Sequence, residues 1–144
     1  MIDDITSRTD VPSDSLVFSQ DSDVIIPASG EDRLDMARAS CVIKAGTALG
    51  GDLNILRHEM NGPFLAYYLS NAKRREIARY AQGNSVVHLY GAQLKLMPVS
   101  IPHPDEQQKI ADVLSTMDAK IDTVAGQIEK LETFKKGLLQ QMFV

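Results

Sequence analysis

Seven apolar residues, Ile110, Leu114, Met117, Ile121, Val124, Ile128 and Leu131, follow one another at alternating steps of four and three. That spacing is the seam of a coiled-coil helix, sustained for about three heptads. Pro102 and Pro104 block a helix arriving from upstream, Asp105 can act as the cap, and Gln108 three positions on completes a capping-box pattern. The sequence therefore predicts a helix over residues 105 to 141, roughly 55 Å long and longer than the preceding domain is wide. Strict continuation asks for an apolar side chain where Lys135 stands; Phe134, Leu138, Leu139 and Met142 stand at shifted positions, so the seam frays or changes partner near its end. Gly126 inside the helix costs ~1 kcal/mol relative to Ala, which packing must outweigh. A face of this kind needs a partner, and the chain offers no second helix of similar length. The seven seam residues and Leu138 are the expected interface. Asp118, Lys120, Asp122, Gln127 and Glu129 suit its solvated flanks, where charge can choose the partner.

The remainder of the 144-residue chain suffices for one core but not for two domains. Its charge is unevenly spread. Residues 1–53 carry ten acidic and four basic side chains, residues 54–100 carry six basic and two acidic, and the rest carries five basic and seven acidic. A mildly acidic total argues against a protein that coats nucleic acid, yet the positive middle is the right sign for a local nucleic-acid patch. Cys41 is the only cysteine, which rules out an intrachain disulfide, a cysteine zinc cluster or a Cys-x-x-Cys redox pair and fits a reducing compartment. The first thirty residues hold six aspartates and no basic start followed by an apolar run, and no stretch is apolar for the ~18 residues a membrane span needs. A cytoplasmic chain without membrane association is expected.

The opening residues, broken by Pro12, read as a loop or a loosely held arm. "SLVFS" and "DVIIPAS" read as neighbouring strands, "CVIKAG" and "LNILR" as two more, with Gly50-Gly51 turning between the latter pair. "EDRLDMARASC" is a helical turn or a connection. From Gly62 the period becomes helical: Pro63 stands near the start and Gly83 where a left-handed cap belongs. Phe64, Tyr67, Tyr68, Ile77, Ala78 and Ala81 form its apolar stripe, and Lys73, Arg74, Arg75 and Arg79 its basic face. "NSVVHLY" is a strand or extended loop, "GAQLKL" a short helical turn, and "MPVSIP" is kept extended by its prolines. The fold class expected is α+β, a small mixed domain over residues 1–100 followed by one long coiled-coil helix within 101–144.

Catalytic signals are weak. His58, His88 and His103 do not fall at metal-ligand spacing with one another or with Cys41, and no Gly-x-Ser-x-Gly elbow occurs. "GTALGGD" has neither phosphate-loop nor dinucleotide-loop order, so it reads as a tight turn. The expectation is no catalytic residue and no metal. Lys73, Arg74, Arg75 and Arg79 can meet several phosphates from about two helical turns, although such clusters also serve as plain solvated faces. Asn84, Ser85, His88 and Lys95 lie close by in sequence and are types that read base edges or phosphates, as well as common turn residues.

Taken together, the helix bearing Phe64, Leu65 and Tyr68, the "AQGNSVVHL" that leaves it, "IPHPDEQQKIA" at Ile101 to Ala111, and "KLETFKKGLLQQMF" at Lys130 to Phe143 carry a resemblance. The chain resembles the DNA sequence specificity subunit of type I restriction-modification systems, at the end of a target-recognition domain and the helical spacer after it. The likeness covers residues 50–144 well and 16–49 less fully. It implies a non-catalytic module that binds double-stranded DNA. Its partners would be modification (methyltransferase) and restriction subunits, together with a helix from a second specificity chain or a second copy of itself. No cofactor is expected on this chain; S-adenosylmethionine would belong to the modification subunit. The family carries two recognition domains and two spacer helices, whereas this chain offers one helix and a short domain, as expected of a fragment, a half-subunit or a remnant. The reading left beside it is a coiled-coil adaptor without DNA binding.

Overall fold

The structure, a computed structural model, describes residues 1, 2, 5 and 7–143. It divides into two compact units, Met1–Ala111 and Asp112–Val144. A single 3-10 turn, Ser13–Ser15, precedes strand β1 (Val17–Phe18). Then follow β2 (Val24–Pro27), β3 (Ser29–Gly30), helix α1 (Arg33–Met36), β4 (Ser40–Cys41), β5 (Ala48–Leu49) and β6 (Leu53–Leu56). Helices α2 (Gly62–Asn71) and α3 (Arg74–Tyr80), strand β7 (Val87–His88), α4 (Gly91–Leu94) and α5 (Pro104–Met142) complete the chain. The α+β class and the long last helix agree with the sequence reading.

β2 is the centre of the only sheet with three strands among the described residues. It pairs antiparallel with β4, Val24 opposite Cys41, and with β6, Ile25 opposite Ile55. Its alternation sends Val24 and Ile26 into the core, as period-two patterning requires. β1 does not neighbour β2, as its sequence position suggested; it pairs with β5, inside the stretch read as a turn. The physical reason lies in the connection. Ser22 adopts a positive φ of 61° and Asp23 accepts a hydrogen bond from the Gln20 N–H at 2.8 Å, so the chain turns between the two strands instead of folding into a hairpin. β3 pairs with β7, bringing residues 29–30 beside residues 87–88.

α2 starts where Asn61 Oδ1 accepts the Phe64 N–H at 2.9 Å, with Pro63 in the first turn. The single helix expected from Gly62 to Gly83 is broken. The Lys73 N–H reaches back to the Tyr68 carbonyl at 3.1 Å, five residues instead of four, and α3 begins anew at Arg74. Leu65, Leu69, Ile77 and Ala78 pack with Val24, Ile26, Val87 and Leu89 in one buried cluster. Each large aliphatic side chain so buried contributes ~1.5–3 kcal/mol before chain entropy is counted. Of the expected stripe, Phe64, Ile77, Ala78 and Ala81 are buried and Tyr68 packs against the core cluster; Leu65, Ala66 and Leu69 join them, while Tyr67 is only half-buried. Gly83 does not cap a helix: Ala81 is already extended at φ −72° and ψ 132°.

α5 begins one residue earlier than its sequence signals indicate. The His103 carbonyl accepts from Glu106 and Gln107, at 2.9 and 3.0 Å, so His103 holds the capping place and Asp105 lies in the first turn. Pro104 fits the first helical position because its missing N–H would go unused there. The box of Asp105 with Gln108 is replaced by bonds to α2: Gln107 Oε1 accepts the Asn61 N–H at 3.1 Å and Gln108 Oε1 accepts from Asn61 Nδ2 at 2.8 Å. Among the described residues, no helix is long and apolar enough to cross a membrane.

Candidate nucleic-acid interface

The four cations of "KRREIAR" separate into two kinds. Lys73 Nζ is 2.7 Å from Glu76 Oε2, and that hydrogen bond holds the ammonium above its ordinary pKa. Arg74 is committed across the fold: its Nε donates to the Leu34 carbonyl at 2.9 Å and its Nη2 lies 3.3 Å from Asp35 Oδ1. It fastens α3 to α1. Arg75 and Arg79 are exposed and make no hydrogen bond or ion pair among the described residues. Four residues apart on α3, they present two free guanidinium groups from one helix face.

The chain leaves α3 directly into a closed loop. Gln82 and His88 exchange backbone hydrogen bonds of 2.8 and 2.7 Å, and between them Gly83, Asn84, Ser85 and Val86 are exposed. Gly83 has a φ of 118°, and a Cβ there would stand 2.1 Å from the Val86 carbonyl oxygen. Only glycine fits that position without rearrangement. The Asn84 and Ser85 side chains make no hydrogen bond among the described residues. His88 is on β7, its ring stacked on Tyr90 at 6.2 Å between centroids and 23° between planes. Tyr90 is 55% exposed. Thus Arg75, Arg79, Asn84, Ser85 and His88 form one continuous stretch from α3 through the loop to β7. Tyr90 was not among the sequence candidates; two residues beyond His88 in an extended run, it lies on the same side of the chain.

Lys95 has a different setting. It follows α4 and lines a cavity of about 380 Å³ with Asn54, His58, Leu65, Leu69 and Met97, to which none of the loop residues contributes. His58 accepts the Met60 N–H on Nδ1 at 3.2 Å, and its buried Nε2 has no hydrogen-bond partner among the described residues. Burial holds its pKa below the ordinary 6.5, so the ring is neutral near pH 7. Among the described residues no cluster of His, Cys, Asp and Glu could hold a metal ion. Cys41 is buried in the core, and burial pushes its thiol pKa up to about 11, which leaves it unreactive.

In the seam of α5, Ile110 and Leu114 are half-buried. Met117, Ile121, Val124, Ile128 and Leu131 are each more than half exposed, and Leu138 is 40% exposed. Leu138 and Met142 stand seven and eleven residues beyond Leu131, at heptad spacing past Lys135.

Comparison with known proteins places this architecture. The sequence family described as the type I restriction modification DNA specificity domain matches residues 51–133, more than half of the chain. A Methanocaldococcus jannaschii protein described as the MjaX type I restriction enzyme specificity subunit is 34% identical over 82 residues, which are 56% of this chain and 19% of that protein. The MjaIX specificity subunit of the same organism is 35% identical over 80 residues, 54% of this chain and 18% of its own length. The matched stretch therefore spans under a fifth of these relatives. A crystal structure of a type I restriction-modification system S subunit from M. genitalium superposes with a TM-score of 0.64 at 20% identity, covering 90% of this chain and 34% of that one. The last comparison speaks to the fold.

Proposed function

We propose, because this chain belongs to the type I restriction modification DNA specificity domain family, that it is a non-catalytic DNA-recognition module of a type I restriction-modification complex. The observation that carries the reading is the pair of uncommitted guanidinium groups, Arg75 and Arg79, on the helix that leads into the exposed loop Gly83–Val86, within the family-matched stretch. Guanidinium groups on a helix face suit phosphate oxygens, which set affinity and register without reading sequence. Asn84 and Ser85, with free amide and hydroxyl groups, and His88 suit base edges. Lys73 and Arg74 take a supporting part, since Lys73 is paired with Glu76 and Arg74 is held by the Leu34 carbonyl and by Asp35, a carboxylate it shares with Arg38. Lys95, lining the separate cavity, serves at most as an outlying phosphate contact.

The domain over residues 1–100 supplies recognition, and the helix in 101–144 supplies attachment. Through Ile110, Leu114, Met117, Ile121, Val124, Ile128, Leu131 and Leu138 it pairs with the helix of a second specificity chain or of a second copy. The assembly then engages modification and restriction subunits, with S-adenosylmethionine bound by the modification subunit, in the cytoplasm.

The test is titration of a random-sequence duplex across a salt series with the full chain and an Arg75→Ala, Arg79→Ala double variant. Removal of two phosphate contacts should flatten the slope of log K against log salt by about 2 and weaken binding to all duplexes alike. An unchanged slope would place the phosphate-binding face elsewhere.

A further inference from the structure

The loop that follows α3 is held by more than its own turn chemistry. Arg33, on α1 and fifty residues earlier in the chain, donates from Nη2 to the Gly83 carbonyl at 2.9 Å. α1 is itself fixed at both sides. Asp32 Oδ1 accepts the Leu34 and Asp35 N–H groups at 2.8 and 2.9 Å, and Arg74 of α3 grips the Leu34 carbonyl. Four restraints therefore act on a tip of four residues. They are the Gln82–His88 backbone pair, the β3–β7 pairing beneath it, the Gly83 conformation that a side chain would not permit, and the Arg33 bond. The tip nevertheless leaves the Asn84 and Ser85 side chains exposed and free of hydrogen bonds among the described residues. A rigid frame presenting unsatisfied polar side chains is the arrangement that reads hydrogen-bond patterns at low ordering cost.

We infer that Gly83–Val86 is a preorganised base-reading loop and that Arg33 is its positioning residue, setting sequence preference without itself contacting a base. The inference rests on the DNA-recognition reading above and adds the residue that fixes the loop. Arg33 has one arm on a backbone carbonyl, an acceptor that any guanidinium or ammonium can satisfy but that an apolar side chain of equal length cannot. A glycine carbonyl without that donor turns to water, and the tip loses one of its four restraints.

The experiment selects bound duplexes from a pool with a randomised central segment, using the full chain, Arg33→Lys and Arg33→Met. The affinity of each for one fixed random-sequence duplex is measured in parallel. The wild type is expected to enrich a sequence. Arg33→Met should lower preference for that sequence over the fixed duplex about tenfold, the discrimination of one good base contact, while affinity for the fixed duplex changes less than about threefold. Arg33→Lys, which keeps reach and donor, should recover most of the preference. Gly83→Ala, acting on the loop from the other side, should reproduce the Met result, and thermal melting of each variant confirms folding. Undiminished preference in Arg33→Met overturns the inference while leaving the DNA reading intact, as does an equal loss on every duplex, which would make Arg33 a phosphate contact. A wild type that binds duplex without preference also overturns it. A wild type that binds no duplex at low salt overturns the DNA reading itself.

Discussion

Asn61 joins two parts of the chain more than forty positions apart. Its side-chain oxygen caps α2, its amide nitrogen donates to Gln108, and its backbone N–H is taken by Gln107. Gln107 is buried, and its own amide reaches the Pro102 carbonyl at 2.9 Å. One glutamine therefore satisfies a backbone donor and a backbone acceptor, both of them partly buried. This explains the glutamines of "IPHPDEQQ" better than the capping role their spacing suggests. Gln107→Leu should lower unfolding free energy by about 1–3 kcal/mol in urea titration, because it strands both groups. An unchanged midpoint would mean that water replaces the amide. His58 makes a second residue-level prediction. Its folded pKa is depressed below 6.5, so between that depressed value and 6.5 the unfolded chain binds more protons than the folded one. Stability is therefore present above pH 6.5 and lost as pH falls through that window. His58→Phe should remove this loss from urea midpoints measured between pH 7.5 and 5; a slope identical to the wild type would assign it to other groups.

The elements differ in how far the sequence revealed them. The long helix was legible because heptad spacing and prolines are local signals, and its start differed by one residue because Pro104 tolerates the first helical position. β2 and β6 were legible as short β-branched and aliphatic runs. The partners of β1 were not, since strand pairing is decided by tertiary packing and by turns such as the one at Ser22. The division of Gly62–Tyr80 into two helices also left no mark, and with it went the knowledge that Lys73 and Arg74 are already paired. Of the candidate DNA-facing residues, the run from Arg75 to His88 could be seen from charge and turn chemistry. Arg33 could not, because its contact with Gly83 crosses fifty residues. On α5, the proposed pairing predicts that Ile121→Asp, which places a charge at the middle of the apolar seam, disrupts self-association or pairing with a second specificity helix. Sedimentation equilibrium checks this: a mass equal to that of an associated wild type would show that the seam is not the interface.

At the scale of the whole molecule, charge is organised by segment. Acidic side chains outnumber basic ones on both flanks, before residue 54 and after residue 100, and the positive middle contains α3 and its loop. Once Lys73 and Arg74 are set against Glu76 and Asp35, two free arginines remain on α3, so binding by this chain alone should be modest and strongly salt-dependent. The matched relatives are more than five times as long as the stretch they share with it, leaving ample room in them for further contacts. Membership of the specificity family, the α+β domain and the long helix thus support the recognition role proposed for the chain. Duplex DNA is proposed to meet α3 and the Gly83–Val86 loop that follows it. Amide hydrogen exchange of the full chain, with and without a random-sequence duplex at ~50 mM salt where phosphate contacts are strong, tests it directly. Slowed exchange should be confined chiefly to the peptides that span residues 74–90; protection centred elsewhere, or none while duplex is bound, would contradict this assignment.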